Sequence, residues 1–540
     1  MRGQIMDRPL LISSLLEHAD TVSGDREIVT RTVEGPIHRY SYRDAHRRAR
    51  QLANALQALG VGLGDRIATM AWNTHRHFEV YYAVSGIGAV THTLNPRLHP
   101  SQLTYIMNHA EDAYVFVDLN LIPLIENVAD DLPHLKGVIV MTDRAHMPET
   151  GLANLHCYED LIDSHSDELE WPEFDENTAS SLCYTSGTTG NPKGALFSHR
   201  STVIHAYGSA LPDVLHMGES EVILPVVPMF HVNAWGIPYG ATMVGAKLVF
   251  PGPKLDGASI HELLVEEGVT FAAGVPTIWL MLLAHWRETA TRAPDLKRTV
   301  IGGSACPESM IREFQDDYGV EVRHAWGMTE MSPLGTVSIP KPSMDDDTDR
   351  LRTQIKQGRP VFGVEMRIVD DAGTALPHDG KAFGDLQVRG PWIIDSYFKM
   401  ERNESHDADG WFATGDVATI DPDGYMEITD RSKDVIKSGG EWISSIEIEN
   451  LAMGHPDVAQ AAVIGLAHPK WDERPLLIVV PAAGKTPSHA ELTDYLSDKL
   501  AKWWLPDDTV YIDELPLGAT GKVLKTRLRE QFADHALPTG

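Results

Sequence analysis

Ser180-Ser181-Leu182-Cys183-Tyr184-Thr185-Ser186-Gly187-Thr188-Thr189-Gly190-Asn191-Pro192-Lys193-Gly194-Ala195-Leu196-Phe197 is the stretch from which the chain is best read. An apolar run, Ser180 to Tyr184, leads in and a second, Ala195-Leu196-Phe197, leads out, so the pattern predicts strand, loop, strand. Gly187, Gly190 and Gly194 let the backbone bend back on itself and turn N–H groups inward. The hydroxyls of Thr185, Ser186, Thr188 and Thr189 add neutral donors, and Lys193 adds a positive charge suited to a polyphosphate. The loop differs from a Walker loop, in which Lys-Ser/Thr opens a helix after the second glycine. A plain surface turn would require neither the apolar lead-in nor the lysine at the exit. The stretch predicts a phosphate cradle carried on a sheet.

On either side, apolar strand-like runs alternate with amphipathic helices. Arg66 to Ala71, Ala113 to Val117, Val138 to Met141, Lys247 to Phe250, Phe271 to Ala273 and Arg298 to Ile301 read as strands, and Phe78 to Val90 as a helix ending near Gly88. Strands alternating with helices imply an α/β fold with parallel sheets covered on both faces. From about Phe362 short strands with turn signals such as Asp371-Ala372-Gly373 and Asp421-Pro422-Asp423-Gly424 predict a small β-unit. A compact segment follows, with strands over Val458 to Gly465 and Leu476 to Val480 and a helix over His489 to Leu500. The boundary is placed at Asp430 to Asp434, giving a large unit, 1–430, and a small α+β unit, 431–540.

Bulk properties bound the function. A chain of 540 residues is too long for one core. Its 43% hydrophobic and 23% charged residues are ordinary for a globular protein. The most apolar region, Val222 to Phe250, carries three prolines, His231 and Asn233, so it reads as core and not as a membrane span. Leu10 to Leu16 reads as part of an amphipathic helix, not a signal peptide. Cys157, Cys183 and Cys306 are too few and too scattered for a disulfide framework or zinc cage, and predict buried thiols in a reducing cytoplasm. A net charge of −30 argues against a nucleic-acid partner, while leaving room for a local positive site that takes an anionic substrate.

The loop resembles the signature of the adenylate-forming enzymes, a family that includes acyl-CoA synthetases, luciferases and peptide-synthetase adenylation domains. The resemblance runs along nearly the whole chain. Trp326-Gly327-Met328-Thr329-Glu330, preceded by His324-Ala325, resembles the family's second core motif. An aromatic there can stack on adenine, and the Glu330 carboxylate is a hard ligand for magnesium. The resemblance implies that Thr185 and Glu330 hold an Mg2+ ion bridging the phosphates of ATP. Gly302-Gly303-Ser304-Ala305 resembles the small-residue segment beside adenine and the acyl pocket, and Thr414-Gly415-Asp416 the segment whose aspartate binds the ribose. Asp430-Arg431 through Glu441 resembles the hinge motif, with Arg431 on the ribose or phosphate. Taken singly, each has an ordinary alternative: a core tryptophan, a turn, a surface salt bridge. Five in the family's order and spacing make those alternatives poor.

Pro516-Leu517-Gly518-Ala519-Thr520-Gly521-Lys522 resembles the family's last motif, whose lysine drives adenylation. The chemistry asks for it, because a carboxylate oxygen must approach the α-phosphorus of ATP and a cation touching both anions lowers the barrier. A solvated lysine in a basic tail with Lys525, Arg527 and Arg529 is the alternative; the Gly521-Lys522 pairing favours Lys522 over Lys525. The family rotates its small domain between half-reactions. By residue match, Lys433 is the pivot, Lys437 enters the site in the second conformation, and Ser438-Gly439-Gly440-Glu441-Trp442 moves toward the coenzyme A channel.

Met229-Phe230-His231-Val232-Asn233-Ala234-Trp235 bears on the acid. His231 resembles the residue beside the acyl carboxylate, with a satisfied core histidine as the alternative. Trp235 resembles a pocket-wall tryptophan of fatty acyl-CoA synthetases, with a plain core tryptophan as the alternative. Gly303, Trp326, Met331, Pro333 and Leu334 add apolar wall, which suits an aliphatic acid with one carboxylate. The family's amino-acid activators carry an aspartate where this chain has Val232, and no carrier segment follows before residue 540, so the expected acceptor is coenzyme A. His-Val-Asn-Ala-Trp and Ser-Gly-Gly-Glu-Trp-Ile-Ser-Ser look most like the branch of medium- to long-chain fatty acyl-CoA synthetases and 3-methylmercaptopropionyl-CoA ligases, and the short-acid side of that branch is the expectation. A general fatty acyl-CoA synthetase is the rival, and a silent nucleotide-binding regulator is the alternative from another class. The family analogy also points to a homodimer through the large unit.

Overall fold

In the computed structural model the residues described are 1, 3–185, 191–402, 405–431, 434–438, 441–518 and 523–538, with 441 and 442 described by their backbone alone. Ser186, Gly187, Thr188, Thr189, Gly190, Lys433, Gly439, Gly440 and Lys522 therefore lie outside the described residues.

The apolar runs around the phosphate-loop stretch form a seven-stranded sheet. Its order is Leu155–Cys157, Gly137–Val140, Tyr114–Val117, Arg66–Met70, Val90–Thr93, Ala179–Tyr184, Gly194–Ser198. Every pairing is parallel except the last, where Ala179–Tyr184 runs antiparallel to Gly194–Ser198. The loop of interest thus joins two neighbouring strands at a sheet edge. The second sheet has nine strands: a parallel centre from Glu27–Arg31 to Glu321–Gly327, flanked by antiparallel Ile37–Ser41 on one side and by Leu334–Ser338 and Arg359–Pro360 on the other. Continuous valine-, leucine- and isoleucine-rich runs are what strands buried on both faces require.

The helix His75–Gly86 explains how the two sheets become one body. All of its residues are buried, and its start is capped by the Thr74 hydroxyl, which accepts from the His77 N–H at 3.3 Å. A helix covered all round must be sandwiched. Phe78, Tyr81 and Tyr82 share one core with Cys183 and Phe197 of the first sheet and Ile223, Leu248 and Phe271 of the second. The expected Phe78 to Val90 helix is corrected here. The Thr74 cap starts it earlier, and Gly88, at φ 78°, turns the chain so that Val90 opens the strand Val90–Thr93 instead. The N-terminal helix spans Ser13–Ser23, with Leu15, Leu16 and Ala19 buried.

Glu365–Val369, Phe383–Arg389, Phe412–Ile420 and Met426–Arg431 make a four-stranded antiparallel sheet. The strands after Asp434 form a separate sheet, ordered Glu441–Ile443, Ile436–Ser438, Asp472–Pro481, Val458–His468, with Asp508–Tyr511 parallel to Asp472–Pro481. Its last expected helix is shorter than read, His489–Ser497, after a Ser488/Glu491 capping box. The described residues contain no helix long and apolar enough to cross a membrane.

Candidate functional site

The described ends of the glycine-rich loop close on each other. Thr185 donates its N–H to the Lys193 carbonyl at 2.9 Å, and the Lys193 N–H donates to Thr185 Oγ1 at 3.4 Å. Lys193 Nζ then lies 4.9 Å from the centre of the Tyr397 ring, a cation–π distance. The Tyr397 hydroxyl donates to Glu330 Oε1 at 2.7 Å. Burial first, and then the Glu330 carboxylate, push the Tyr397 phenol far above its ordinary pKa, so it stays a donor. Glu330 itself is buried and takes the Ile394 N–H on its carbonyl at 2.9 Å. Thr185, Lys193, Tyr397 and Glu330 thereby form one continuous chain of contacts.

That donor set speaks to the metal. Among the described residues no group of three or more His, Cys, Asp or Glu side chains could hold an ion by itself. A single carboxylate such as Glu330 fits magnesium, which keeps much of its shell as water and substrate phosphate oxygens.

Trp326, Asp416 and Arg431 meet on the next side. Asp416 and Arg431 are direct cross-strand partners in the antiparallel pair Phe412–Ile420 and Met426–Arg431. The register therefore puts Arg431 Nε 2.9 Å from Asp416 Oδ1, with the carboxylate 3% and the arginine 42% exposed. Trp326 Nε1 donates to the other oxygen, Oδ2, at 3.1 Å. The indole face packs on Gly335, where a Cβ would stand 2.6 Å from Trp326 Cζ3 and 2.8 Å from Met331 Cε. Only glycine permits that approach.

His231 and Trp235 bracket a turn that faces Gly302-Gly303. A Cβ on Gly302 would lie 2.9 Å from the Ala325 carbonyl and 3.1 Å from Trp235 Cη2. Gly303, at φ 83°, and Ser304 are exposed beside it. Met331 and Leu334 are buried; Leu334 donates its N–H to His205 Nε2 at 3.2 Å and accepts the Trp392 indole at 3.0 Å. Met328 donates to the Pro333 carbonyl at 3.0 Å, and Thr329 opens a short 3-10 turn to Met331. His324 Nδ1 contacts the Ile355 carbonyl at 2.9 Å, and burial lowers its pKa to about 4, which leaves the ring neutral near pH 7.

Residues 16–398 match the AMP-binding enzyme family, and residues 447–522 match its C-terminal domain. The chain belongs to the AMP-binding enzymes. It is 54% identical over 538 residues to a 3-methylmercaptopropionyl-CoA ligase of Ruegeria lacuscaerulensis, covering 99% of each chain. It is 52% identical over 539 residues to a medium-chain-fatty-acid–CoA ligase of Ectopseudomonas oleovorans, covering 99% of this chain and 98% of the other. Among solved structures, the anthranilate CoA ligase AuaEII in complex with anthranoyl-AMP superposes with a TM-score of 0.86 at 25% identity, over 98% of this chain and 99% of that one.

In this AMP-binding enzyme two lysines of the C-terminal part, Lys525 and Lys437, stand in different surroundings. Lys525 is buried against Glu449 at 2.7 Å and hydrogen-bonds the Ser445 hydroxyl, which in turn donates to Asp430 Oδ2 at 2.5 Å. Burial opposes its charge, and the Glu449 and Asp430 carboxylates outweigh that and raise its pKa. Lys525 is thus a buried structural cation. Lys437 is exposed, with its N–H on Glu473 Oε2 at 2.9 Å, and pairs in register with Trp442, as Ser438 does with Glu441.

Two contributors escaped the sequence reading of this AMP-binding enzyme. Tyr397 stands 67 residues from the Glu330 it touches, and no motif spacing marks it. His205, on the helix His199–Ala210, holds the Leu334 backbone, but a lone histidine on an apolar helix carries no signal of that kind.

Proposed function

We propose that this ATP-dependent, AMP-forming acid–CoA ligase prefers a short acid of the 3-methylmercaptopropionate class. The enzyme uses ATP, Mg2+ and coenzyme A. Carboxylate and ATP yield acyl-adenylate and pyrophosphate, and coenzyme A then displaces AMP to give the acyl-CoA. The observation that carries the site assignment is the chain Thr185–Lys193–Tyr397–Glu330 together with the Trp326–Asp416–Arg431 cluster, the two joined by the Trp326 to Glu330 motif, read as a phosphate end and a nucleoside end.

In this reading Thr185, Ser186, Gly187, Thr188, Thr189, Gly190 and Lys193 cradle the phosphates, and Thr185 with Glu330 would hold the magnesium, whose charge offsets that of the triphosphate. Trp326, with His324, Ala325, Gly327, Met328 and Thr329, lines the adenine side, Gly302, Gly303 and Ser304 flank it, and Asp416 and Arg431 take the ribose. His231 orients the acyl carboxylate. Lys522 bridges carboxylate and α-phosphate in adenylation. The 431–540 unit turns about Lys433, bringing Lys437 and the Gly439-Gly440-Glu441-Trp442 turn in for thioester formation.

Support for a short acid comes from the bulk of Trp235 against Gly302 and from the Ruegeria relative. The Ectopseudomonas relative keeps the medium-chain reading alive as the rival. Coenzyme A-dependent release of AMP and pyrophosphate across a panel of carboxylic acids tests the proposal. Activity peaking at short acids supports it; activity rising steadily through long chains overturns it. A cytoplasmic location, supported by three buried free thiols, and a homodimer without a nucleic-acid partner, supported by the charge of −30 and by family analogy, complete the reading.

A further inference from the structure

Residues 232–236 wind in the left-handed sense: φ is 45° at Val232, 53° at Asn233, 50° at Ala234, 58° at Trp235 and 73° at Gly236. Such a conformation is disfavoured at every L-residue, most of all at a β-branched one, and persists only where surrounding structure over-determines it. Asparagine is the side-chain-bearing type that tolerates it best. The turn links the two residues assigned to the acid, His231 at its entry and Trp235 at its end.

Asn233 is buried, and its side chain reaches a different element. Nδ2 donates to Ser181 Oγ at 2.9 Å, and Oδ1 accepts from the Cys183 thiol at 3.6 Å. Ser181 and Cys183 alternate onto one face of the strand Ala179–Tyr184, which runs directly into Thr185. The lead-in is fixed from a third direction, since Asn73 accepts the Met229 N–H at 2.6 Å and donates to the Pro225 and Val227 carbonyls at 2.8 Å.

We infer that Asn233 is the positioning residue that sets the separation between the acyl-side pair, His231 and Trp235, and Thr185 at the end of the Ala179–Tyr184 strand. The inference rests on the adenylation reading above. A carboxylate oxygen attacks phosphorus efficiently only when held at contact distance and in line, and displacements of about 1 Å cost on the order of a hundredfold. The backbone of the turn holds one reactant's contacts and the Ala179–Tyr184 strand the other's. The Asn233 amide is the clamp between them.

The test is acid-dependent ATP–pyrophosphate exchange with Asn233→Gly, Asn233→Ala and Ser181→Ala. Asn233→Gly frees the backbone yet removes the clamp. It is expected to lower kcat at least tenfold and raise the KM for the acid, with the KM for ATP within twofold. Ser181→Ala is expected to shift the same two constants less, and the double variant Ser181→Ala/Asn233→Gly to be no worse than Asn233→Gly alone. Should Asn233→Gly fail to fold, Ser181→Ala, which deletes one hydroxyl, decides by the same split. Additive losses, a kcat within twofold of the wild type, or a loss fully matched by a fall in folded enzyme would overturn the inference. A wild type showing no acid-dependent exchange would sink the adenylation reading itself, and this inference with it.

Discussion

Trp326 and Asp416 are joined by an indole-to-carboxylate hydrogen bond of 3.1 Å, while Arg431 holds the carboxylate's other oxygen at 2.9 Å. Both contacts orient the aspartate, and in the proposed ribose-binding role that reduces the ordering left for binding. Trp326→Phe keeps an aromatic face and deletes the donor. A hydrogen bond to a charged group contributes about 1.5–3 kcal/mol, so kcat/KM for ATP should fall about tenfold or more. Steady-state kinetics with ATP varied would show it, and an unchanged kcat/KM would refute the orienting role.

In the proposed site Tyr397 stands on the magnesium side, through Glu330. Its hydroxyl is the donor that fixes Glu330 Oε1, and groups supporting a metal ligand commonly change metal affinity 10–100-fold, roughly. Tyr397→Phe is expected to raise the half-saturating Mg2+ concentration in pyrophosphate exchange by about tenfold. A magnesium titration superimposable on that of the wild type would remove Tyr397 from the site.

Lys522 and Lys525 should fail in different assays. Lys522→Ala is expected to abolish adenylate formation and spare thioester formation from a supplied acyl-adenylate; equal loss in both half-reactions would refute its role. Lys525→Met leaves Glu449 and Asp430 buried beside a missing cation, which costs about 3–5 kcal/mol of stability. Chemical denaturation reads that loss, and a stability within about 1 kcal/mol of wild type would contradict the buried-pair account.

Acid should loosen the pocket wall through His205. Burial lowers its pKa from 6.5 to about 4, so the folded protein keeps the ring neutral while the unfolded chain titrates near its ordinary value. Above pH 6.5 neither state binds the proton and the residue is silent; as pH falls from 6.5 toward 4 only the unfolded state takes it up, and stability declines. The loss approaches about 3 kcal/mol at the acid end of that window. His205→Gln, which retains an acceptor for the Leu334 N–H, should flatten part of the decline in denaturation midpoints across the window. An identical pH profile would refute the assignment.

The sequence alone settled the fold class and the family, because each is written in local spacing. Runs such as Lys247–Phe250 and Arg298–Ile301 read as strands from their own residues, and the structure has them as strands. Tertiary structure decided what local pattern does not encode: which residues from distant segments share a carboxylate, and which sign of φ the packing enforces. Tyr397 reaches Glu330 and Asn233 reaches Ser181 only because separate strands and turns converge, and Val232 sits at φ 45° in a turn that surrounding structure holds against its own preference. The ion pair of Lys525 has the same origin. As a string Lys525 is one more cation of a basic tail; its pairing with Glu449 is a property of the folded chain.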